Sequence, residues 1–118
     1  MAGRLTTHVL DTARGKPAAG VRIALYRLSG QSHRKIAETV TNHDGRTDAP
    51  MLEGEKLTPG TYELVFSAGD YLRASGQADE GILFLDEIPI RFGVPDAGAH
   101  YHVPLLISPF AYSTYRGS

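Results

Sequence analysis

The stretch His100-Tyr101-His102-Val103-Pro104-Leu105-Leu106-Ile107 alternates along its length, with Tyr101, Val103, Leu105 and Ile107 on one side. Successive side chains of a strand point to opposite faces, so this is a strand with that row turned into a core. The same two-residue period recurs in Leu5, Thr7 and Val9, in Val21, Ile23 and Leu25, in Tyr62, Leu64 and Phe66, and in Ile88, Ile90, Phe92 and Val94. β-branched and aromatic residues concentrate in these windows, as strands prefer. Turn chemistry separates them at Arg14-Gly15-Lys16-Pro17, Asn42-His43-Asp44-Gly45, Thr58-Pro59-Gly60 and Pro95-Asp96-Ala97-Gly98. Short strands at such spacings predict an all-β sandwich or barrel. Pro89 and Pro104 fall inside the apolar rows and predict edge strands or bulges there. One short helix is expected, Asp70 to Ser75, with Asp70 as its N-cap.

A chain of 118 residues is one domain, residues 1–118, with room for a single core. Its 42% hydrophobic and 21% charged residues are ordinary globular values. Twelve Lys and Arg against thirteen Asp and Glu give a net charge of −1, and the only basic cluster is His33-Arg34-Lys35. That balance argues against a nucleic-acid partner. No apolar run approaches the ~20 residues of a membrane-spanning helix, so no membrane partner is expected. The absence of cysteine excludes disulfides, a thiolate nucleophile and Cys-ligated zinc. The opening residues lack the apolar segment of a secretory signal, and Arg116-Gly117-Ser118 is not a Ser-Lys-Leu type of address, so a cytoplasmic protein is expected.

Chemistry must therefore come from His, Arg, Tyr, Ser, Thr and carboxylates. His8 lies opposite the Leu5/Thr7/Val9 row, and His100 and His102 lie opposite the Tyr101/Val103/Leu105/Ile107 row. Three imidazoles on outward faces are either solvated surface groups or parts of one site. A His-x-His pair with a third histidine could supply three nitrogen ligands, as catalytic zinc sites do. No metal is expected, since no His-x-x-x-His helix accompanies the pair. Asn42-x-Asp44-Gly45 is a fragment of a calcium loop without its remaining ligands and reads as a turn. Arg46 follows that turn, where its planar donor fork could hold an anionic group. The tail Tyr112-Ser113-Thr114-Tyr115-Arg116-Gly117-Ser118 alternates like a final strand.

Five blocks together carry a resemblance: Leu5-Thr6-Thr7-His8-Val9-Leu10-Asp11-Thr12, Gly15-Lys16-Pro17-Ala18-Ala19-Gly20-Val21, Thr41-Asn42-x-Asp44-Gly45-Arg46, His100-Tyr101-His102-Val103-Pro104-Leu105-Leu106 with Ser108-Pro109, and Tyr115-Arg116-Gly117-Ser118. The chain resembles the 5-hydroxyisourate hydrolases, or transthyretin-related proteins, over essentially its whole length. The last two blocks are the specific ones, whereas Gly-x-Pro-x-x-Gly-Val, Asn-x-Asp-Gly and Leu57-x-Pro59-Gly60-x-Tyr62 recur in prealbumin-like modules without catalysis. The resemblance implies a prealbumin/transthyretin-like sandwich of two four-stranded sheets with one short helix. It also implies a homotetramer, a dimer of dimers, with active sites at the dimer–dimer interface.

The implied reaction opens the cyclic amide of 5-hydroxyisourate to 2-oxo-4-hydroxy-4-carboxy-5-ureidoimidazoline in urate degradation, without a cofactor. Carried over residue by residue, the catalytic set falls on His8, Arg46, His102 and Ser118. The substrate-binding set falls on His8, Arg46, Tyr115, Arg116 and Gly117. Ile107 and Ala111 stand where a Leu and a Gly are common in relatives, and the stretch 76–86 is where relatives vary. Which histidine is the base stays open at this level. So does a reading from another class, a non-catalytic transthyretin-like carrier of a small ligand, although a carrier has no need of the His/Arg set or the Tyr-Arg-Gly-Ser ending.

Overall fold

Alternating rows become sheet faces wherever two of them meet in register. In the computed structural model, which describes residues 2–117, the four long strands are β4 (Arg22–Ser29), β5 (Ser32–Val40), β7 (Gly60–Ser67) and β8 (Glu87–Val94). They form one antiparallel sheet in the order β5-β4-β7-β8. Ile23 faces Phe66, which faces Ile88, and Leu25 faces Leu64, which faces Ile90. These six side chains are buried, and a fully buried residue of this size contributes roughly 1.5–3 kcal/mol. Pro89 sits on β8 opposite Val65, on the edge strand where a missing N–H costs no ladder bond.

The second layer comprises β1 (Arg4–Thr6), β2 (Val9–Asp11), β3 (Lys16–Pro17), β6 (Leu52–Glu53), β9 (His100–His102), β10 (Leu105–Ser108) and β11 (Ala111–Thr114). The sandwich is as expected, but this layer parts into a three-stranded sheet, β6-β1-β9, and a four-stranded one, β11-β10-β2-β3. The break falls at Pro104, which stands between β9 and β10 rather than on an edge or in a bulge. On either side of it the Val103 N–H donates to Thr6 O and the Leu105 N–H to His8 O, each at 2.9 Å. The Thr7 hydroxyl, turned inward with Leu5 and Val9, donates to Val103 O at 2.8 Å. Parallel pairing therefore keeps one register across the gap, Thr6 beside His102 and Val9 beside Leu105.

The helix α1 is Ala68–Ala74, beginning two residues earlier than expected. Ser67 holds the N-cap position, without a side-chain cap bond, and Asp70 lies inside the first turn with its carboxylate 3.4 Å from Arg73 Nη1. Burial of Ala68, Gly69, Tyr71 and Leu72 decides the start. The helix is tied to β2 through Asp11, whose Oδ2 accepts from the Tyr71 hydroxyl at 2.6 Å and from Gln77 Nε2 at 2.8 Å. The Arg14 N–H donates to Asp11 Oδ1 at 3.0 Å. The final strand ends at Thr114, short of the expected continuation through residue 118.

Candidate active site

The outward face of β1 and β9 carries four polar side chains that the parallel register brings together. Thr6 lies beside His102, and Arg4 beside His100. Thr6 Oγ1 stands 2.9 Å from His102 Nδ1 and 3.0 Å from His100 Nε2. Both imidazoles are half-buried.

Arg46 reaches the same face through the turn that precedes it. Asn42 Oδ1 accepts from the Asp44 and Arg46 N–H groups at 2.9 and 3.2 Å. Gly45 has φ +75°, and its carbonyl accepts from the Val9 N–H at 2.8 Å. A Cβ at Gly45 would lie 2.4 Å from Val9 O, so only glycine lets the turn press against the strand. This clamp sets Arg46 opposite His8 in an antiparallel bridge. His8 Nε2–H donates to the Asp44 carbonyl oxygen at 2.9 Å; a carbonyl only accepts, which leaves Nδ1 as the lone-pair nitrogen of the neutral ring.

The tail closes the other side. Gly117 bridges to His102, its N–H donating to His102 O at 2.7 Å. The Arg116 guanidinium carbon stands 4.5 Å from the centre of the Tyr101 ring, and Arg116 Nη2 donates to His100 O at 3.3 Å. Tyr115 is 57% exposed. His100 and His102 thus form a wall between two hollows. One, of about 450 Å³, is lined by Arg4, Thr6, Arg46, Asp48 and Pro50 among others. The other, of about 780 Å³, is lined by Tyr115, Arg116 and Gly117.

Burial holds the His102 imidazole below its ordinary value of 6.5, and the positive field of Arg46 adds to it, with His8 and His100 acting in the same direction whenever they carry a proton. A neutral imidazole is thereby favoured, which is the form that accepts a proton. Among the described residues no group of three or more His, Cys, Asp or Glu side chains is arranged to hold a metal ion.

Of the residues expected from the sequence, His8, Arg46, His102, Arg116 and Gly117 are linked through β1, β9 and the loop before Arg46, and Tyr115 lines the larger hollow. Arg116 is already engaged by Tyr101 and His100. Ser118 lies outside the described residues. Thr6 stands outside the expected set, and His100 enters the sequence reading only as an outward imidazole and candidate metal ligand, not as a catalytic or substrate-binding residue. The signals for them were the His-x-His spacing and the shared outward face of Thr6 and His8, but only the strand register joins them.

A sequence model of the HIUase/transthyretin family matches residues 5–117. The chain belongs to the HIUase/transthyretin family. Within it, the chain is 60% identical over 116 residues to the 5-hydroxyisourate hydrolase of Pseudomonas aeruginosa, covering 98% of this chain and 92% of that one. Its fold is similar to that of the Klebsiella pneumoniae 5-hydroxyisourate hydrolase, with TM-score 0.81 and 34% identity over 98% of this chain and 99% of that one. It is also similar to sea bream transthyretin in complex with thyroxine, with TM-score 0.85 and 25% identity over 97% and 94% of the two chains. Both arms of the family share the sandwich; the much higher identity lies on the hydrolase side.

Proposed function

We propose that this chain hydrolyses 5-hydroxyisourate in urate degradation, using His102 as general base and Arg46 to stabilise the oxyanion. The observation that carries this reading is that His102, bridged to Gly117, shares one hollow with Arg46, itself bridged to His8, and a second with Tyr115 and Gly117. Opening a cyclic amide needs a base for the attacking water, a charge at the developing oxyanion and contacts for a flat polar ring. His8 Nε2 is committed to Asp44 O, and His102 Nδ1 to Thr6. His102 lines both hollows and His8 neither, and His102 Nε2 has no protein partner among the described residues, so it is the nitrogen that takes the proton from water. Arg46, bridged to His8, faces the substrate carbonyl, where preorganised charge supplies several kcal/mol (order of magnitude). Tyr115 and the Gly117 backbone hold the ring from the other side, and Arg116 braces the wall.

The active form is a homotetramer, a dimer of dimers, with its sites at the dimer–dimer interface. Two features support association. The histidine face is outward from the core yet polar and partly desolvated, as the wall of an inter-subunit channel is. Phe84 and Phe110 are 73% and 76% exposed with ring centroids 6.1 Å apart, and Ile82 is beside them in the hollow they line, so three large apolar side chains lie together at the surface. Sedimentation at micromolar concentration reads the assembly directly.

The deciding experiment follows the ultraviolet absorbance of 5-hydroxyisourate made in place from urate by urate oxidase. Decay accelerated in proportion to protein concentration, above the uncatalysed rate, is expected. A folded tetramer that gives no acceleration would turn the reading to a carrier of small ligands.

A further inference from the structure

We propose that Thr6 is a positioning residue that relays a proton between His102 and His100, making His100 the second imidazole of the reaction. This rests on the assignment of His102 as base. The geometry that carries it is a single hydroxyl shared by two rings, Thr6 Oγ1 at 2.9 Å from His102 Nδ1 and 3.0 Å from His100 Nε2.

A hydroxyl has one proton to give and lone pairs to receive with. Thr6 therefore donates to one ring nitrogen and accepts from the other, and the two neutral imidazoles cannot choose tautomers independently. In one arrangement His102 carries its proton on Nδ1 and gives it to Thr6, whose own proton goes to His100 Nε2. His102 Nε2 is then a lone pair, ready for water. In the reverse arrangement His102 carries its proton on Nε2 and is useless as a base. The acceptor at His100 is what makes the productive arrangement available.

The same chain of bonds gives the accepted proton somewhere to go. As the water oxygen bonds to the substrate carbonyl carbon, its proton passes to His102 Nε2. The His102 Nδ1 proton moves to Thr6 Oγ1, and the hydroxyl's own proton moves to His100 Nε2. His102 is again neutral, now with its proton on Nε2, and the charge rests on His100. When the ring C–N bond breaks, His102 Nε2–H protonates the leaving nitrogen, and the proton on His100 returns through Thr6 to His102 Nδ1. One proton has travelled from water to nitrogen, and the site is as it began. The charged and titratable groups around this relay are Arg4, His8, Arg46, Asp48, Tyr115 and Arg116. Arg46 opposes a positive charge on His102 most strongly among the ionised neighbours, which favours passing it on.

The test compares Thr6→Val, which keeps the shape and removes the hydroxyl, with Thr6→Ser, which restores it. Thr6→Val should lose at least ~10-fold in kcat with KM changed little, a share of the ~10²–10⁴ that a positioned base supplies. Thr6→Ser should return to within about threefold of the parent. Nitrogen-15 imidazole spectra of the intact protein give a readout that needs no turnover. Neutral His102 should carry its proton on Nδ1, and titrating His100 should shift the His102 resonances, a coupling that Thr6→Val removes. Parent kcat in Thr6→Val, or His102 with its proton on Nε2 in the parent, would overturn the relay. A parent protein without hydrolase activity would instead remove the functional reading, while the spectra still decide the hydrogen-bond chain.

Discussion

Gly117 lies so close to His102 that a side-chain carbon on it would stand 2.8 Å from the ring's Cδ2. The contact is made on the same residue whose carbonyl accepts the Gly117 N–H at 2.7 Å. Gly117→Ala must therefore shift the imidazole or the tail that packs on it. Misplacement of a catalytic group by about 1 Å can cost ~10²-fold, and a smaller shift is forced here, so a loss of ~10-fold or more in kcat is expected. Thermal melting should barely move, and steady-state kinetics alongside a melt separates the two effects. An alanine variant with parent kcat would place the tail outside the reaction.

His8→Ala, Arg46→Ala and His102→Ala should each lower turnover by at least ~10² while the protein stays folded and assembled. Removal of residues 115–118 should abolish turnover. Rates close to the parent in all three alanine variants would sink the assignment of this face as the active site.

The pH dependence has a definite sign. Burial first, then Arg46, His8 and His100, disfavour the His102 imidazolium. The acidic limb of the rate profile should then fall below the ordinary histidine value of 6.5, and Arg46→Gln should move it upward. The same shift has a stability counterpart. The unfolded chain binds the proton more readily, so this contribution is full above 6.5 and is lost as pH falls through the folded value. A limb that Arg46→Gln leaves in place would mean another group controls the rate.

Asp11 is 1% exposed. Its burial alone would raise the carboxyl, yet hydrogen bonds from Tyr71, Gln77 and the Arg14 N–H outweigh it and hold the group below its ordinary value of 3.8. Tyr71 in turn is pushed up to about 12 by burial and by its bond to Asp11. Tyr71→Phe should cost about 1.5–3 kcal/mol, the worth of a hydrogen bond to a charged group. For a depressed carboxyl, stability is present above 3.8 and lost as pH falls through the folded value, so the variant should show less of this acid-side slope. Urea unfolding at pH 7 and pH 3 measures both.

Gly45→Ala combines a left-handed backbone with a clash against Val9 O. A cost of ~1–2 kcal/mol is expected from the conformation alone, more from the clash, and a fall in activity because Arg46 rides on the displaced turn. Kinetics that survive the loss of stability would show that Arg46 is held by other contacts.

The core was legible because polarity alternates where it is built. Leu5, Thr7, Val9, Tyr101, Val103, Leu105 and Ile107 are all buried, in the rows the two-residue period marks. The helix start was not, because Ser67 both ends β7 and takes the N-cap position without a side-chain cap bond, while Asp70 three residues on offers an equal capping signal. Pro104 announced an irregularity, but whether it stands at an edge or between two halves of a ladder depends on a partner strand 96 positions away. That separation also hid the site's inner wiring. His102 could be picked out from its motif. Its link to Thr6 exists only once the parallel register is formed.

That register has a cost in time. Strand β1 cannot pair with β9 until 96 further residues have been made, on the order of 5–20 s at ribosomal speeds of ~5–20 residues per second. Throughout that interval β1 can pair only with β6 and β2 only with β3, so each early strand keeps one open side. The histidine wall is thus among the last surfaces of the protein to appear during synthesis, and the early strand is a natural client for whatever guards newborn chains against clumping.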